Sequence, residues 1–194
     1  MSVLDPARKV GQSLGMVVGV RTGIEEPEYT VIDRVDEVEI RRYGARIAAE
    51  TTVDADAEPA RNIGFRRLAR YIFGGNRSRD TIAMTAPVAQ AGDGRSSTIR
   101  FFMPSTWTRA ALPEPNDDTV RLVDVEPELM AVLRFTGDRS ADAVDRKVAS
   151  LRKILSRSRF EIIGEPVAWF YDPPMTLPFR RRNEVAVPVA RKDQ

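Results

Sequence analysis

The chain has 194 residues, 42% hydrophobic and 30% charged, with a formal net charge of +2, a balance that fits one globular domain and not a disordered polymer. It contains neither cysteine nor histidine, which excludes disulfides, thiolate nucleophiles, histidine-based triads and metal sites built on imidazole or thiolate. No stretch approaches the ~20 consecutive apolar residues that a membrane-spanning helix needs.

At the start, Asp5 as cap, Pro6 at the first helical position and Val10, Leu14 and Val17 at helical spacing predict a short amphipathic helix within an N-terminal extension over residues 1–24. The run lacks a small-x-small cleavage pattern, so it reads as a helix and not as a signal peptide, and the protein is expected in the cytoplasm. Alternating residues then predict a strand through Tyr29 and Val31 and a second through Val38, Ile40 and Arg42, joined around Asp36. A third is expected over about 45–53, with Ile47, Ala49, Thr51 and Val53 on one face.

From Asp56, a candidate cap, to Phe73 the period is helical; Ile63, Leu68 and Ile72 mark the buried side and Gly74-Gly75-Asn76 the end. Strands are expected at 82–88 and 98–103. A proline-rich, acidic connection over 104–118 leads to paired strands at 120–125 and 129–135. The second helix opens near Ser140 or Asp142 and places Val144, Val148, Leu151 and Leu155 on one face. Beyond Gly164, strands are predicted at 167–171 and 184–189.

The succession strand, helix, strand, strand therefore occurs twice. It predicts an α+β fold of pseudo-duplicated βαββ halves, a distorted antiparallel, barrel-like sheet of eight or nine strands flanked by two long helices. Residues 25–190 form the single domain and 191–194 a tail. A concavity between a helix and the strand loops is the expected ligand site. Arginines cluster at Arg61, Arg66, Arg67, Arg70, Arg77 and Arg79 and again at Arg180–Arg182. A solvated helix surface is favoured over a nucleic-acid face, and no helix-turn-helix is apparent.

Several short motifs come in one order: Glu26-Pro27-x-Tyr29, Glu39-x-Arg41-x-Tyr43, Tyr71-Ile72-x-Gly74-x-Asn76, Met84-Thr85-x-Pro87-Val88, and Tyr171-Asp172-Pro173-Pro174 with Arg181-Arg182-Asn183-Glu184-Val185. Together they resemble the SOUL heme-binding protein family over nearly the whole globular part, from Glu26 to Val189. The resemblance implies a pseudo-symmetric fold related to effector-binding domains of bacterial regulators, with heme or another tetrapyrrole as non-covalent ligand. Within that family some members are described with an axial histidine and others as holding the porphyrin by apolar contacts and basic partners. Only the second mode is open to a histidine-free chain.

By the same resemblance, the ligand lies against the outward side of the first long helix, near Asn62, Phe65, Ala69 and Arg70. Their spacing puts them on one face. Phe65 would lie against the ring, Ala69 would leave room for it, and Arg66 or Arg70 would pair with a propionate. Met175, Thr176 and Leu177, on the turn after Pro174, would border the pocket. Iron ligation, if any, falls to Tyr71 or Tyr171, to Met175 or to an external ligand.

Other readings stay open beside this one. Met84 and Val88 read as core, and Arg181-Arg182-Asn183-Glu184 as a structural knot holding backbone carbonyls or Glu39. Glu39, Glu50 and Glu184 are the acid–base candidates for an enzyme acting on a small molecule in the same cavity, by iron release from heme or by hydrolysis. An effector-binding module for a non-porphyrin ligand is the third.

Overall fold

A computed structural model describes residues 23–92 and 94–192. The helix expected between Asp5 and Val17 lies outside the described residues. The elements follow one another as strands β1 (Tyr29–Val35), β2 (Val38–Tyr43) and β3 (Arg46–Val53), helix α1 (Ala57–Ile72), and strands β4 (Val88–Gly92), β5 (Ser97–Phe102), β6 (Arg121–Val125) and β7 (Glu128–Phe135). Helix α2 (Ala141–Leu155) and strands β8 (Phe160–Ile162), β9 (Val167–Phe170) and β10 (Asn183–Arg191) complete the chain, with a 3-10 turn at Pro178–Arg180.

Most sequence-predicted elements form within a residue or two of their expected ends. Asp36 makes the β1–β2 turn with a left-handed φ of 51°, a conformation that aspartate tolerates better than most residues. Two expectations are corrected. Residues 82–87 form no strand, because their backbone is bonded elsewhere: Ile82 N–H to Ile72 O and Ala86 N–H to Glu25 O, while Pro87 has no N–H to give. The sheet has ten strands and not eight or nine; the extra one is β8, three residues long and too short to leave a period in the sequence.

The strand order β1-β2-β7-β10-β9-β4-β5-β3-β6, with β8 on β10, is symmetric about the β9–β4 pair apart from β1 and β8, which have no counterparts. The first half reads strand, helix, strand, strand, as the duplication predicts, and the second does so with β8 inserted after its helix. The hairpin strands exchange halves: β2 precedes β3 in the chain but pairs with β7, and β6 precedes β7 but pairs with β3. All these pairs are antiparallel.

Alternation along the strands sorts side chains to two faces. Leu151 and Leu155 of α2 pack on Val38, Ile40, Ala131, Leu133 and Val185. Leu68, Tyr71 and Ile72 of α1 pack on Ala49, Ile99 and Phe101. The intervening residues, among them Ala48, Phe102, Met130, Trp169 and Ala186, form a third buried cluster without a helix. Burial there comes from the sheet curling over itself, which makes this face an interior. Among the described residues no helix is long and apolar enough to cross a membrane.

The helices are seated differently. Ser140 caps α2 by accepting from Ala143 N–H, whereas Asp56 stands at the N-cap of α1 without a side-chain capping bond. Ile63 is only partly buried; the inward side of α1 is Ala60, Gly64, Leu68, Tyr71 and Ile72. Gly64 matters by its size, since a Cβ there would fall within the van der Waals surface of Ile99. Gly74, at φ 98°, turns the chain out of the helix.

Candidate functional site

Helix α1 carries Arg61 and, one turn on, Phe65, whose ring packs on Phe101 of β5. Arg61 reaches inward between the halves: its guanidinium lies 4.6 Å from the centre of the Phe170 ring and donates through Nη1 to Gln90 Oε1 at 3.3 Å and to Arg139 O at 3.4 Å. Arg139, in the β7–α2 connection, donates to Asp172 O at 3.4 Å. Arg181 closes the group, with Nε on Thr176 O and Nη2 on Pro174 O, both at 2.8 Å. The segment is also pinned by Gly137 N–H on Pro178 O.

Three guanidinium groups thus meet where α1, the β7–α2 connection and the segment 171–182 converge. Burial lowers the pKa of Arg61 from its usual value, repulsion by Arg139 lowers it further, and Glu58 opposes both. Arg139 is lowered in the same way, by burial and then by Arg181, against Glu58 and Asp172. Among the described residues none of the three forms an ion pair with a carboxylate; their acceptors are carbonyl oxygens and an amide. Half-buried cations whose bonds go only to neutral acceptors, with Glu58 and Asp172 acting on them without an ion pair, suit an anion.

Large apolar side chains stand open on the elements that carry these arginines. Phe65 is 40% exposed with its ring edge-on to Phe101, centroids 5.3 Å apart, and Phe73, which follows α1, is 64% exposed. On the segment 171–182, Met175 is 64%, Leu177 45% and Phe179 70% exposed.

Of the residues expected at the site, Asn62, Arg66 and Arg70 are exposed on α1 and Ala69 is partly buried beside Phe65. Met175 and Leu177 project from the segment that Arg139 and Arg181 hold. Thr176 between them is fully buried, and its carbonyl is a ligand of Arg181. Arg61, Arg139, Phe73 and Phe179 were not singled out as site residues. Arg61 was legible, standing in the arginine cluster four residues before Phe65. Arg139 was not, because it comes from the other half of the molecule.

The acid–base candidates are committed elsewhere. Glu184, fully buried, accepts from Arg41 at 2.9 and 3.1 Å, from Arg182 at 3.0 Å and from Tyr171 at 2.7 Å. Burial alone would raise its pKa, but the bonds and charges of Arg41 and Arg182 hold it below the usual carboxylate range. Glu39 pairs with Arg34 and Arg41, and Glu50 with Arg100 and Arg121. The structural knot is therefore present in altered form: Arg182 binds Glu184 and Glu26, Arg181 binds carbonyls, and Glu39 belongs to Arg41. Met84 and Val88 pack partly buried against the α1 core. Tyr71 donates to Pro113 O, and burial pushes its phenol up to about 12. Tyr171 is raised further by burial and by Glu184. Neither phenol is poised to become a phenolate. Among the described residues no cluster of three or more acidic groups is placed to hold a metal ion.

A family model described as SOUL heme-binding protein matches residues 24–188. Heme-binding protein 2 of Mus musculus is 29% identical over 177 residues, covering 84% of this chain and 84% of that one. The Homo sapiens protein of the same name is 32% identical over 157 residues, covering 76% and 75%. Among solved structures, the EcmrR C-terminal domain superposes with a TM-score of 0.63 at 8% identity, over 84% of this chain and 98% of that one, a likeness of fold alone.

Proposed function

Because the chain belongs to the SOUL heme-binding protein family, we propose that it binds heme or a related tetrapyrrole reversibly, as carrier, buffer or sensor, in the cleft between α1 and the segment 171–182. The observation that carries this reading is the cluster of Arg61, Arg139 and Arg181, whose donors meet only neutral acceptors. Two propionates supply the charge that the protein omits. Charge-assisted bonds formed by half-buried arginines are among the stronger polar contacts available.

The apolar part of the ligand fits what flanks that cluster. Phe65 on α1 and Met175, Leu177 and Phe179 on the segment 171–182 offer exposed apolar surface, whose burial contributes ~25 cal/mol per Å² before association costs. Bound heme would bring a flat ring, two carboxylates and iron. The chain's part is to orient the carboxylates at the arginines and keep water from the ring. With no histidine in these 194 residues and both buried phenols held protonated, Met175 and external ligands are left for the metal, so retention rests on shape and charge. We place the protein in the cytoplasm, and cell fractionation checks that placement.

Absorbance titration with hemin and with metal-free protoporphyrin at micromolar protein tests the reading. Saturable spectral change with both is expected, and at least tenfold weaker binding of the dimethyl esters, which lack the carboxylates. No saturable change with either free acid would overturn it.

A further inference from the structure

The interior of the curled sheet, on the face away from both helices, holds two voids that share Phe102 and Trp169 as walls. The larger, partly open to solvent, measures about 130 Å³; Ala89, Ala91, Met130 and Val167 bound it besides those two rings, and Arg100, already held by Glu50, stands among its polar walls. It exists because β4 sends two alanines inward, at 89 and 91, where larger side chains would fill the space. Its size is close to that of the roughly 150 Å³ apolar cavity known to hold benzene. The smaller, about 10 Å³, has room for roughly one water.

Arg46 and Glu128 stand between them. Arg46 lines the smaller void and Glu128 the larger, and the two are joined through Arg46 Nη2. The guanidinium lies between the rings of Tyr43 and Phe102, at 4.6 and 4.9 Å from their centres. Its side chain is only 10% exposed, and Nε and Nη1 are buried without a hydrogen-bond partner among the described residues. Buried donors are rarely left unmatched in a folded protein, and a site awaiting a ligand is one reason for it. Glu128, at 30%, keeps an outlet to solvent.

We propose that this interior is a second small-molecule site, distinct from the α1 cleft, for a compact aromatic or branched aliphatic carboxylate. The hydrocarbon body fills the larger void against Phe102, Trp169 and Met130. The carboxylate takes the place of Glu128 at Arg46, whose guanidinium turns its unmatched N–H groups onto it, while Glu128 swings out into water. Charge is conserved in the exchange, since one carboxylate replaces another at the same cation. A neutral molecule of the same shape lacks the group that releases Glu128. A cation would leave Arg46 where it is and gain only the glutamates at the rim, Glu128 and Glu165.

Benzoate, benzyl alcohol and benzylamine are the probes that separate these cases. Tryptophan emission in a Trp107→Phe background reports Trp169 alone, since the chain has two tryptophans. Benzoate is expected to saturate and to bind at least tenfold more tightly than the alcohol or the amine. Arg46→Met should weaken benzoate at least tenfold, and Ala91→Phe, which fills the void and keeps Arg46, should abolish binding. Arg61→Ala should leave benzoate binding unchanged, and saturating benzoate should leave the hemin titration unchanged. The proposal is overturned if no probe saturates, if benzylamine binds as well as benzoate, if Ala91→Phe still binds, or if hemin and benzoate exclude each other. Failure of hemin alone to bind would sink the tetrapyrrole reading and leave this one standing.

Discussion

The two halves share one topology and hold their buried carboxylates differently. In the α2 half Glu184 is fully buried and receives Arg41, Arg182 and Tyr171 together, and α2 is capped by Ser140. In the α1 half the buried carboxylate is Glu50, held by Arg100 and Arg121, whose side chains are 43% and 67% exposed. There α1 lacks a side-chain cap, and its Arg61 bonds an amide and a carbonyl oxygen and no carboxylate. Where the halves meet, Arg61 of one and Arg139 and Arg181 of the other bond only neutral acceptors, and ligand sites are commonly made at such junctions.

The comparison breaks first at Glu184. Glu184→Gln removes the anion from between two largely buried guanidinium groups and should cost about 3–5 kcal/mol in denaturant unfolding. Glu50→Gln should cost about 1 kcal/mol or less, because water reaches its partners. Equal losses would mean that the halves are not differently built. The same carboxylate sets a pH dependence. Its folded-state pKa lies below the unfolded value near ~4.3, so its contribution is complete above that value and is lost as pH falls through the folded one. Acid unfolding of the wild type should be steep below about pH 4, and Glu184→Gln should flatten it.

Next in size is the ligand side. Arg61→Ala and Arg139→Ala should each weaken hemin binding by about 10- to 100-fold, the worth of a charge-assisted bond. Arg152→Ala, on the exposed face of α2, should change it less than twofold. Gly64→Ala brings a methyl group into Ile99 and should cost about 1–3 kcal/mol of stability, moving α1 off the sheet and disturbing hemin binding as well. The smallest contrast is at the caps: Ser140→Ala should cost about 1 kcal/mol and Asp56→Ala close to none, as thermal melts would show.

Legibility in the sequence followed the range of the interactions. Elements with a sustained period, such as α2 with Val144, Val148, Leu151 and Leu155, were found nearly to the residue, because burial of one face repeats at a local spacing. Residues 82–87 were mistaken for a strand because their composition suits one. Their N–H groups are taken by Ile72 and Glu25, distant or irregular partners that no local pattern reports. Phe65 and Arg61, four apart on one helix, were within reach of helical spacing. Arg139 and Phe179 were not, since they reach the cleft only through the packing of the second half against the first.

By itself the sequence determined which chemistries are closed to these residues, where the periodic elements lie, that they repeat, and which family's motifs they carry. Those properties depend on residue type and short spacing. The tertiary structure alone decided that β2 and β6 exchange halves, that Arg61, Arg139 and Arg181 converge with only neutral acceptors bonded to them, and that Arg46 is enclosed with two donors unmatched. Each of these depends on which distant backbones lie side by side. Charge compensation is a sum over neighbours in space, and the chain order does not list them.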